Sequence, residues 1–275
     1  MKAVCPICPR RCALDEGQLG FCRARINRGG SVICENYGRV TSLALDPIEK
    51  KPLRRFRPGS NILSVGSYGC NMDCAYCQNC EISGADETSV GWEDYTPEAL
   101  VALAERYRSA GNIGLAFTYN EPLVGYEFVL DCAKLAKKSG LSVVLVTNGM
   151  ILPEPWERLL PYTDAANIDL KAFSAEKYRS LGGEFETVRE AILRASGRIH
   201  LEVTTLVVPG FSDAEDDLRR EAEWLSSLSP EIPLHLSRFF PRHRMRGAAP
   251  TPPETVLRLA GIAREYLKYV YTGNL

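Results

Sequence analysis

The sequence predicts an α/β fold in which helices cover a parallel sheet, and three observations point there. Short β-like runs recur at 61–66, 113–118, 141–147, 165–170, 200–208, 233–238 and 269–272. Amphipathic helix patterns lie between them. Polar residues collect where the runs end. Strand–helix alternation at this rhythm places successive strands parallel, with crossover helices outside. The 275 residues suit one large domain, or one domain with a small appendage.

Residues 1–35 form a cysteine-rich segment. Cys5, Cys8, Cys12 and Cys22 lie within eighteen residues, with Pro6, Pro9, Gly17 and Gly20 shaping the loops between them. A segment this short cannot bury a core of its own, so a bound metal is expected to supply folding energy. The spacing admits tetrahedral zinc or an auxiliary Fe–S cluster, with Cys34 as an alternative fourth ligand. Residues 36–60 read as a connector. Its basic run, Lys50, Lys51, Arg54, Arg55 and Arg57, is expected to be a solvated face, the sharper alternative being a contact to an anionic substrate or an acidic partner.

Residues 61–275 are the main domain. Leu100, Leu103, Ala104 and Tyr107 recur at helical spacing behind Thr96-Pro97, a cap followed by proline at the first helical position. Val124, Phe128, Cys132 and Leu135 predict a second helix, with Cys132 on its apolar face. Leu259, Ile262, Ala263 and Tyr266 predict a last one, behind the capping-box pattern Thr251-Pro-Pro-Glu254. The polar strand ends are Thr118-Tyr119-Asn120-Glu121, Thr147-Asn148-Gly149, Asp169-Leu170-Lys171, Glu202 with Thr204 and Thr205, and His235 with Ser237 and Arg238. In parallel barrels the active site lies at that end of the strands.

Composition narrows the class. Hydrophobic residues are 45% and charged residues 24%, the balance of a globular protein. A net charge of -1 gives no global field for nucleic acid or an acidic membrane. The N-terminus has no apolar core of a secretory signal, and no run approaches the ~20 apolar residues of a spanning helix. Ten cysteines in such a chain point to metal ligation in a reducing cytoplasm, with sensitivity to oxygen.

The first strand runs into Cys70-Asn-Met-Asp-Cys74-Ala-Tyr-Cys77. A tight loop can turn three thiolates toward one point, and a [4Fe–4S] cube usually takes four. Three ligands leave one iron open to a substrate or cofactor. This C-x3-C-x2-C spacing, with Tyr76 before the third cysteine, resembles the signature of radical S-adenosylmethionine (SAM) enzymes. Asp46-Pro-Ile-Glu-Lys-Lys-Pro52, Pro58-Gly59-Ser60, Gly69-Cys70-Asn71 and Cys77-Gln78-Asn79 resemble the radical SAM member of the AmmeMemoRadiSam system. That group is similar to the pyruvate formate-lyase activating enzymes. The likeness runs from Cys5 to Asn274. Together with the β/α rhythm, it implies a partial (β/α)6 radical SAM barrel.

What the resemblance implies is specific. Cys70, Cys74 and Cys77 hold the cluster, whose electron cleaves SAM to methionine and a 5′-deoxyadenosyl radical that abstracts hydrogen from a substrate. Asn120 and Glu121 stand where the family has a Gly-Gly-Glu-Pro-like motif facing the SAM amine, with Tyr119 and Asn120 in place of the two glycines. Thr147 and Asn148 match a Thr-Asn-Gly turn near the methionyl end. Val146 replaces a common aspartate, which speaks against a cation site there. Asp169 and Lys171 match an Asp-Leu-Lys motif, His235 a histidine along the adenine, and Tyr76 backs the cluster loop. The implied partners are a ferredoxin- or flavodoxin-type reductant and, for an activase, a protein whose backbone glycine is the substrate. The alternatives are a small molecule or another protein residue as substrate, an RNA-modifying enzyme, and a non-catalytic Fe–S scaffold. Arg238-Phe-Phe-Pro-Arg242-His-Arg244-Met-Arg246 offers cations to an anionic substrate, or is a solvated loop. Family members often continue past Asn274 with a cysteine-containing tail; this sequence stops at Leu275.

Overall fold

A computed structural model describes residues 1–275. An eight-stranded sheet dominates it. Its strands are β1 (Ser42–Pro47), β2 (Asn61–Gly66), β3 (Asn112–Phe117), β4 (Ser142–Thr147), β5 (Ala165–Asp169), β6 (His200–Val207), β7 (Leu234–Arg238) and β8 (Val270–Gly273). They lie side by side in chain order, and all but β1 run parallel. The edge strands β1 and β8 do not pair, so the barrel stays open on one side. Helices α1 (Pro97–Arg106), α2 (Tyr126–Lys138), α3 (Pro153–Leu159), α4 (Ala175–Ser180), α5 (Phe185–Ala195), α6 (Glu215–Leu228) and α7 (Pro253–Ala263) form the crossovers. All seven β-like runs are therefore parallel strands, and six β/α units stand before the closing strand β8. No helix is long and apolar enough to cross a membrane.

Alternation along the strands separates two environments. Leu63, Leu115, Val143, Ile168, Val203 and Leu236 pack in the large core under the helices. The intervening positions face the inside of the curved sheet. There Ile62, Ala116, Val144 and Ala165 pack against Ile48 and Leu53 of the segment that follows β1. The predicted connector is thus a structural part of the barrel. Ser42–Pro47 pairs antiparallel with β2, from Ser42↔Gly66 to Pro47↔Asn61. The chain then threads the inside of the sheet, where Asn167 Nδ2 donates to Pro52 O at 2.8 Å. The basic run is not a uniform solvated face. Lys51 is buried and pairs with Asp46 at 2.9 Å, and the Arg55 guanidinium lies over the Tyr269 ring.

Thr96 caps α1, its side chain accepting from Ala99 N at 3.2 Å. The capping box expected at Thr251 does not form. Thr251 is fully buried and its hydroxyl donates to Val207 O at 2.5 Å, tying the loop to β6 instead. Thr205 also departs from expectation. It turns to the helix side, its Oγ1 lying 2.5 Å from Glu221 Oε1 and 2.9 Å from Leu170 O. Burial pushes the Glu221 carboxyl up to about 8, although the Thr205 bond pulls the other way. A carboxyl raised in the fold stabilises fully below its unfolded value of 4.5 and loses that contribution as pH rises through about 8. Glu221→Gln should therefore raise the melting temperature at pH 8 by roughly 4–8 °C, about 2–3 kcal/mol, and have little effect at pH 5. Thermal melts at the two pH values check this.

The N-terminal segment docks on the same body. Ala3–Val4 pairs with Ala13–Leu14, and Arg25–Arg28 with Ser31–Cys34. Arg25, buried on its side chain, forks onto Glu127 of α2 with two bonds of 2.7 Å. All ten cysteines are free thiols.

Candidate active site

The C-terminal ends of the strands open into a cavity of about 680 Å³. Cys70, Cys74, Cys77 and Tyr76 border it, together with Asn120, Glu121, Thr147, Asn148, Asp169, Lys171 and His235. Every residue expected in the catalytic and SAM-binding set thus borders one cavity. Val146, Thr204 and Ser237 complete that part of the wall. Arg238 does not; its Nε donates to Thr251 O at 2.6 Å.

The thiols stand on the loop after β2, and neighbours on three strands fix that loop. Asn120 Oδ1 accepts from Ser67 N at 3.0 Å, and its Nδ2 donates to Gly69 O at 3.0 Å. Asn148 Nδ2 donates to Asn71 Oδ1 at 2.9 Å and lies 3.7 Å from Cys70 Sγ. Arg244 donates to Asp73 Oδ2 at 2.9 Å and Asp73 O at 2.7 Å, while its N–H donates to Ala75 O. The arginine-rich loop after β7 is therefore neither wholly solvated nor wholly aimed at the cavity, because Arg244 clasps the cysteine loop. Gly69 takes φ +90°, and a Cβ there would collide with Cys22 O, so only glycine fits. Burial pushes the Cys70 thiol well up and the Cys74 thiol to about 11. Protonated thiols at neutral pH are the expected state for cysteines without bound metal.

Glu121 has both oxygens occupied. Oε1 accepts from Thr147 Oγ1 at 2.7 Å and Leu123 N at 3.0 Å, and Oε2 from Asn148 N at 2.7 Å. Burial lifts its carboxyl to about 7 against those three bonds. In this geometry Glu121 pins the turn after β4. Lys171 Nζ pairs with Asp169 at 2.6 Å. Burial would lower its ammonium, but the Asp169 charge beside it wins and raises it. Tyr119 adopts φ 72°, the backbone shape a glycine holds at small cost, for which another residue pays about 1–2 kcal/mol. Its ring covers Gly66, where a Cβ would stand 2.8 Å from Cδ2. Its hydroxyl donates to Asp46 at 2.8 Å and Lys51 sits 4.5 Å over the ring.

Several wall residues lie outside the set expected to hold SAM. Lys50, Lys51 and Arg54 line the cavity from the connector side, and Tyr271, Thr272, Gly273 and Asn274 from β8. Behind His235 lies Glu202, wholly buried. Its Oε2 accepts from His235 Nε2 at 2.5 Å and Arg54 N at 3.0 Å. Its Oε1 accepts from His200 Nε2 at 2.8 Å and Arg55 N at 2.8 Å. Burial opposes its ionisation, yet the two histidines and Arg55 N–H hold the carboxyl down at about 2. The His235 ring also stacks on Tyr271 at 5.3 Å.

The donor set fits an iron–sulfur cube with one open iron. Three thiols face the cavity, and Cys80, in the one-turn helix Cys80–Ser83, does not border it. No three Cys, His, Asp or Glu side chains stand at the spacing of a single-ion site. The Thr204 hydroxyl in the cavity wall and the Tyr76 hydroxyl are buried without a partner.

Comparisons with known proteins agree with this geometry. "Uncharacterized protein MJ0808" of Methanocaldococcus jannaschii is 41% identical over the whole chain and 82% of its own length. The pyruvate formate-lyase 1-activating enzyme of Escherichia coli K12 is 27% identical over 72% of this chain and 86% of that enzyme. Among solved structures, QueE from Escherichia coli superposes with a TM-score of 0.56 at 16% identity, covering 86% of this chain and 93% of QueE, which is a likeness of fold. The radical SAM superfamily profile matches residues 64–222, a span that holds the three cysteines and all but one of the expected SAM-facing residues. On this match, which takes in more than half of its length, the chain belongs to the radical SAM superfamily.

Proposed function

We propose that this chain is a SAM-cleaving enzyme of the glycyl-radical-activase type, acting on a backbone glycine of a partner protein. Held by Cys70, Cys74 and Cys77, a [4Fe–4S] cluster supplies the electron that splits SAM into methionine and a 5′-deoxyadenosyl radical able to remove hydrogen. The observation that carries the reading is the set of three thiols, without a fourth, in the wall of a cavity of about 680 Å³. The protein's part is to hold and orient. Asn120 and Asn148 fix the thiol loop. Thr147, Asn148 and Glu121 border the methionyl end, the Lys171–Asp169 pair the ribose, and His235, steadied by Glu202, the adenine.

The relationship to the pyruvate formate-lyase 1-activating enzyme supports a protein substrate, and the open side of the sheet leaves room for a peptide loop. The words around Asp46–Pro52 support the narrower AmmeMemoRadiSam group, and a ferredoxin- or flavodoxin-type protein is the proposed reductant. A second reading, a small anionic substrate, is favoured by Lys50 and Arg54 at the cavity wall. The second metal at Cys5, Cys8, Cys12 and Cys22 belongs to the same proposal.

The test is anaerobic reconstitution of the full chain with iron and sulfide, then dithionite and SAM. 5′-Deoxyadenosine should appear. Its absence from protein with a verified cluster overturns the reading in favour of a non-catalytic Fe–S scaffold. Adding the macromolecular fraction of an anaerobic cell extract should then produce a glycyl-radical EPR signal; a response to the small-molecule fraction alone selects the second reading.

A further inference from the structure

We propose that the outer side of the cysteine loop is the docking face for the electron donor, a small acidic one-electron carrier protein. This rests on the reading that Cys70, Cys74 and Cys77 hold a cluster reduced from outside, and it places the reductant. The loop has two sides. One borders the cavity, where SAM and substrate would sit. The other reaches solvent at Asp73, which adjoins Cys74 and has a side chain 55% exposed. An electron arriving there enters one residue from a ligand thiol and leaves the substrate's space free.

Arginines ring that outer side. Arg10 donates from Nε to Asn71 O at 2.7 Å and from a terminal nitrogen to Gly182 O, and its guanidinium lies 3.4 Å over the Phe21 ring. Leu181 O accepts from Asp73 N at 2.9 Å, so the turn after α4 abuts the loop next to Arg10. Arg244 clasps Asp73. At the far end of the loop, a Cβ on Gly84 would stand 3.9 Å from a terminal nitrogen of Arg23. These contacts make one continuous face, from Arg23 through Phe21 and Arg10 to Gly182, Asp73 and Arg244. Arg11 follows Arg10, Arg179 O accepts from Gly182 N, and Arg242 O accepts from Met245 N in the turn that carries Arg244 and Arg246.

The charge on this face is free to meet a partner. Arg11, Arg23, Arg179, Arg242 and Arg246 are exposed, and no ion pair or side-chain hydrogen bond within the chain occupies their guanidinium groups. None of them borders the cavity, so none is placed to hold SAM or the substrate. Against them stand Asp73, already bound to Arg244, and Glu81, with Glu176 and Glu184 at the margin. The whole chain carries a net charge of -1, so the excess is local. Phe21 is 42% exposed within it. An exposed aromatic ring among arginines is the composition of a protein interface. Free guanidinium forks match carboxylates bidentately. The fitting partner is therefore acidic, and its place against the thiol loop makes it an electron carrier. The carrier gives up one electron, the cluster gains it, and no bond forms or breaks. A nucleic-acid substrate would have to reach the cavity, which none of these arginines borders.

The experiment reads electron entry apart from SAM cleavage. The full chain with its cluster reconstituted is mixed, without SAM, with a reduced acidic flavodoxin, and cluster reduction is followed by stopped-flow absorbance and EPR. Arg23→Glu/Arg179→Glu should be reduced about tenfold more slowly than the unmutated chain at ~0.05 M salt, and the gap should narrow to about twofold at ~0.5 M salt. Arg23→Gln/Arg179→Gln should fall between them. Photoreduced deazaflavin, a small donor that needs no docking face, should reduce all three chains equally. Arg106→Glu, exposed on α1, should stay within about twofold throughout. Equal flavodoxin rates in every chain overturn the proposal. So does a loss shared with deazaflavin, because the arginines would then be supporting the cluster. Binding of tRNA that the double reversal abolishes, with flavodoxin rates unchanged, overturns it in favour of nucleic acid. Iron is measured first, and a chain that holds no cluster overturns this proposal and the functional reading together. With SAM absent here, failure to form 5′-deoxyadenosine in a separate assay bears only on the catalytic reading.

Discussion

Cys74→Ala should abolish 5′-deoxyadenosine formation, by about 10³-fold or more, equivalent to at least about 4 kcal/mol of transition-state stabilisation. The cavity offers three thiols, and a cube that already has one open iron cannot give up another ligand and keep its place. Cys74 is half-buried and donates no hydrogen bond that holds the fold, so the variant should fold while losing the cluster. Iron analysis reports that loss without relying on activity. Cys80 gives the matching control. It lies six residues further on, outside the cavity wall, in a one-turn helix. Cys80→Ala should stay within about twofold of the unmutated chain, because its half-buried thiol neither borders the cavity nor makes a hydrogen bond there. If Cys80→Ala also lost the cluster, the ligand set would have to be redrawn.

What the sequence made legible followed from the strength of the local signal. The seven parallel strands are short β-like runs bounded by turns, and they stand within a few residues of where the pattern put them. β1 was hidden because Ser-Leu-Ala-Leu-Asp-Pro ends in proline and runs straight into charge, a pattern shared with linkers. The basic run misled for a related reason. A lysine read in isolation belongs to solvent, and only the fold brings Asp46 and Tyr119 to Lys51. Asp46 itself appeared in the sequence as part of a family word without a task; its partners, Lys51 and Tyr119, follow β1 and β3. Thr251 looked like a cap because caps are local patterns, and a strand carbonyl from Val207 won the hydroxyl instead. The cavity residues at strand ends were readable because fold geometry puts them there whatever their partners. The residues that support them were not, since support depends on contacts far apart in sequence.

Glu202 stood out in the sequence as a polar strand residue but not as a support, and removing it should have the largest effect on the fold. Each carboxylate oxygen accepts one backbone N–H from the segment that threads the sheet and one imidazole nitrogen from the strands. Carboxylate oxygens only accept when ionised, so His200 and His235 both present Nε2–H to it. Glu202→Ala would strand four buried or half-buried donors at once. The expected loss is about 3–5 kcal/mol, the cost of breaking a buried charged network from one side, seen as a melting temperature lower by roughly 6–15 °C. Glu202→Gln keeps the shape but turns an NH2 group toward one backbone N–H and one histidine. A histidine can change tautomer and accept; a backbone N–H cannot. The glutamine variant should therefore still lose about 1–3 kcal/mol. The acid limb supplies a second reading of the same group. Its carboxyl is held at about 2 against an ordinary 4.5, so its stabilisation is complete above 4.5 and is lost as pH falls toward 2. Urea titrations between pH 3 and pH 7 should show both variants with a flatter acid limb than the unmutated chain, by roughly 3 kcal/mol at most. Equal acid slopes in all three would mean that Glu202 does not carry the charge that holds His235 beside the cavity.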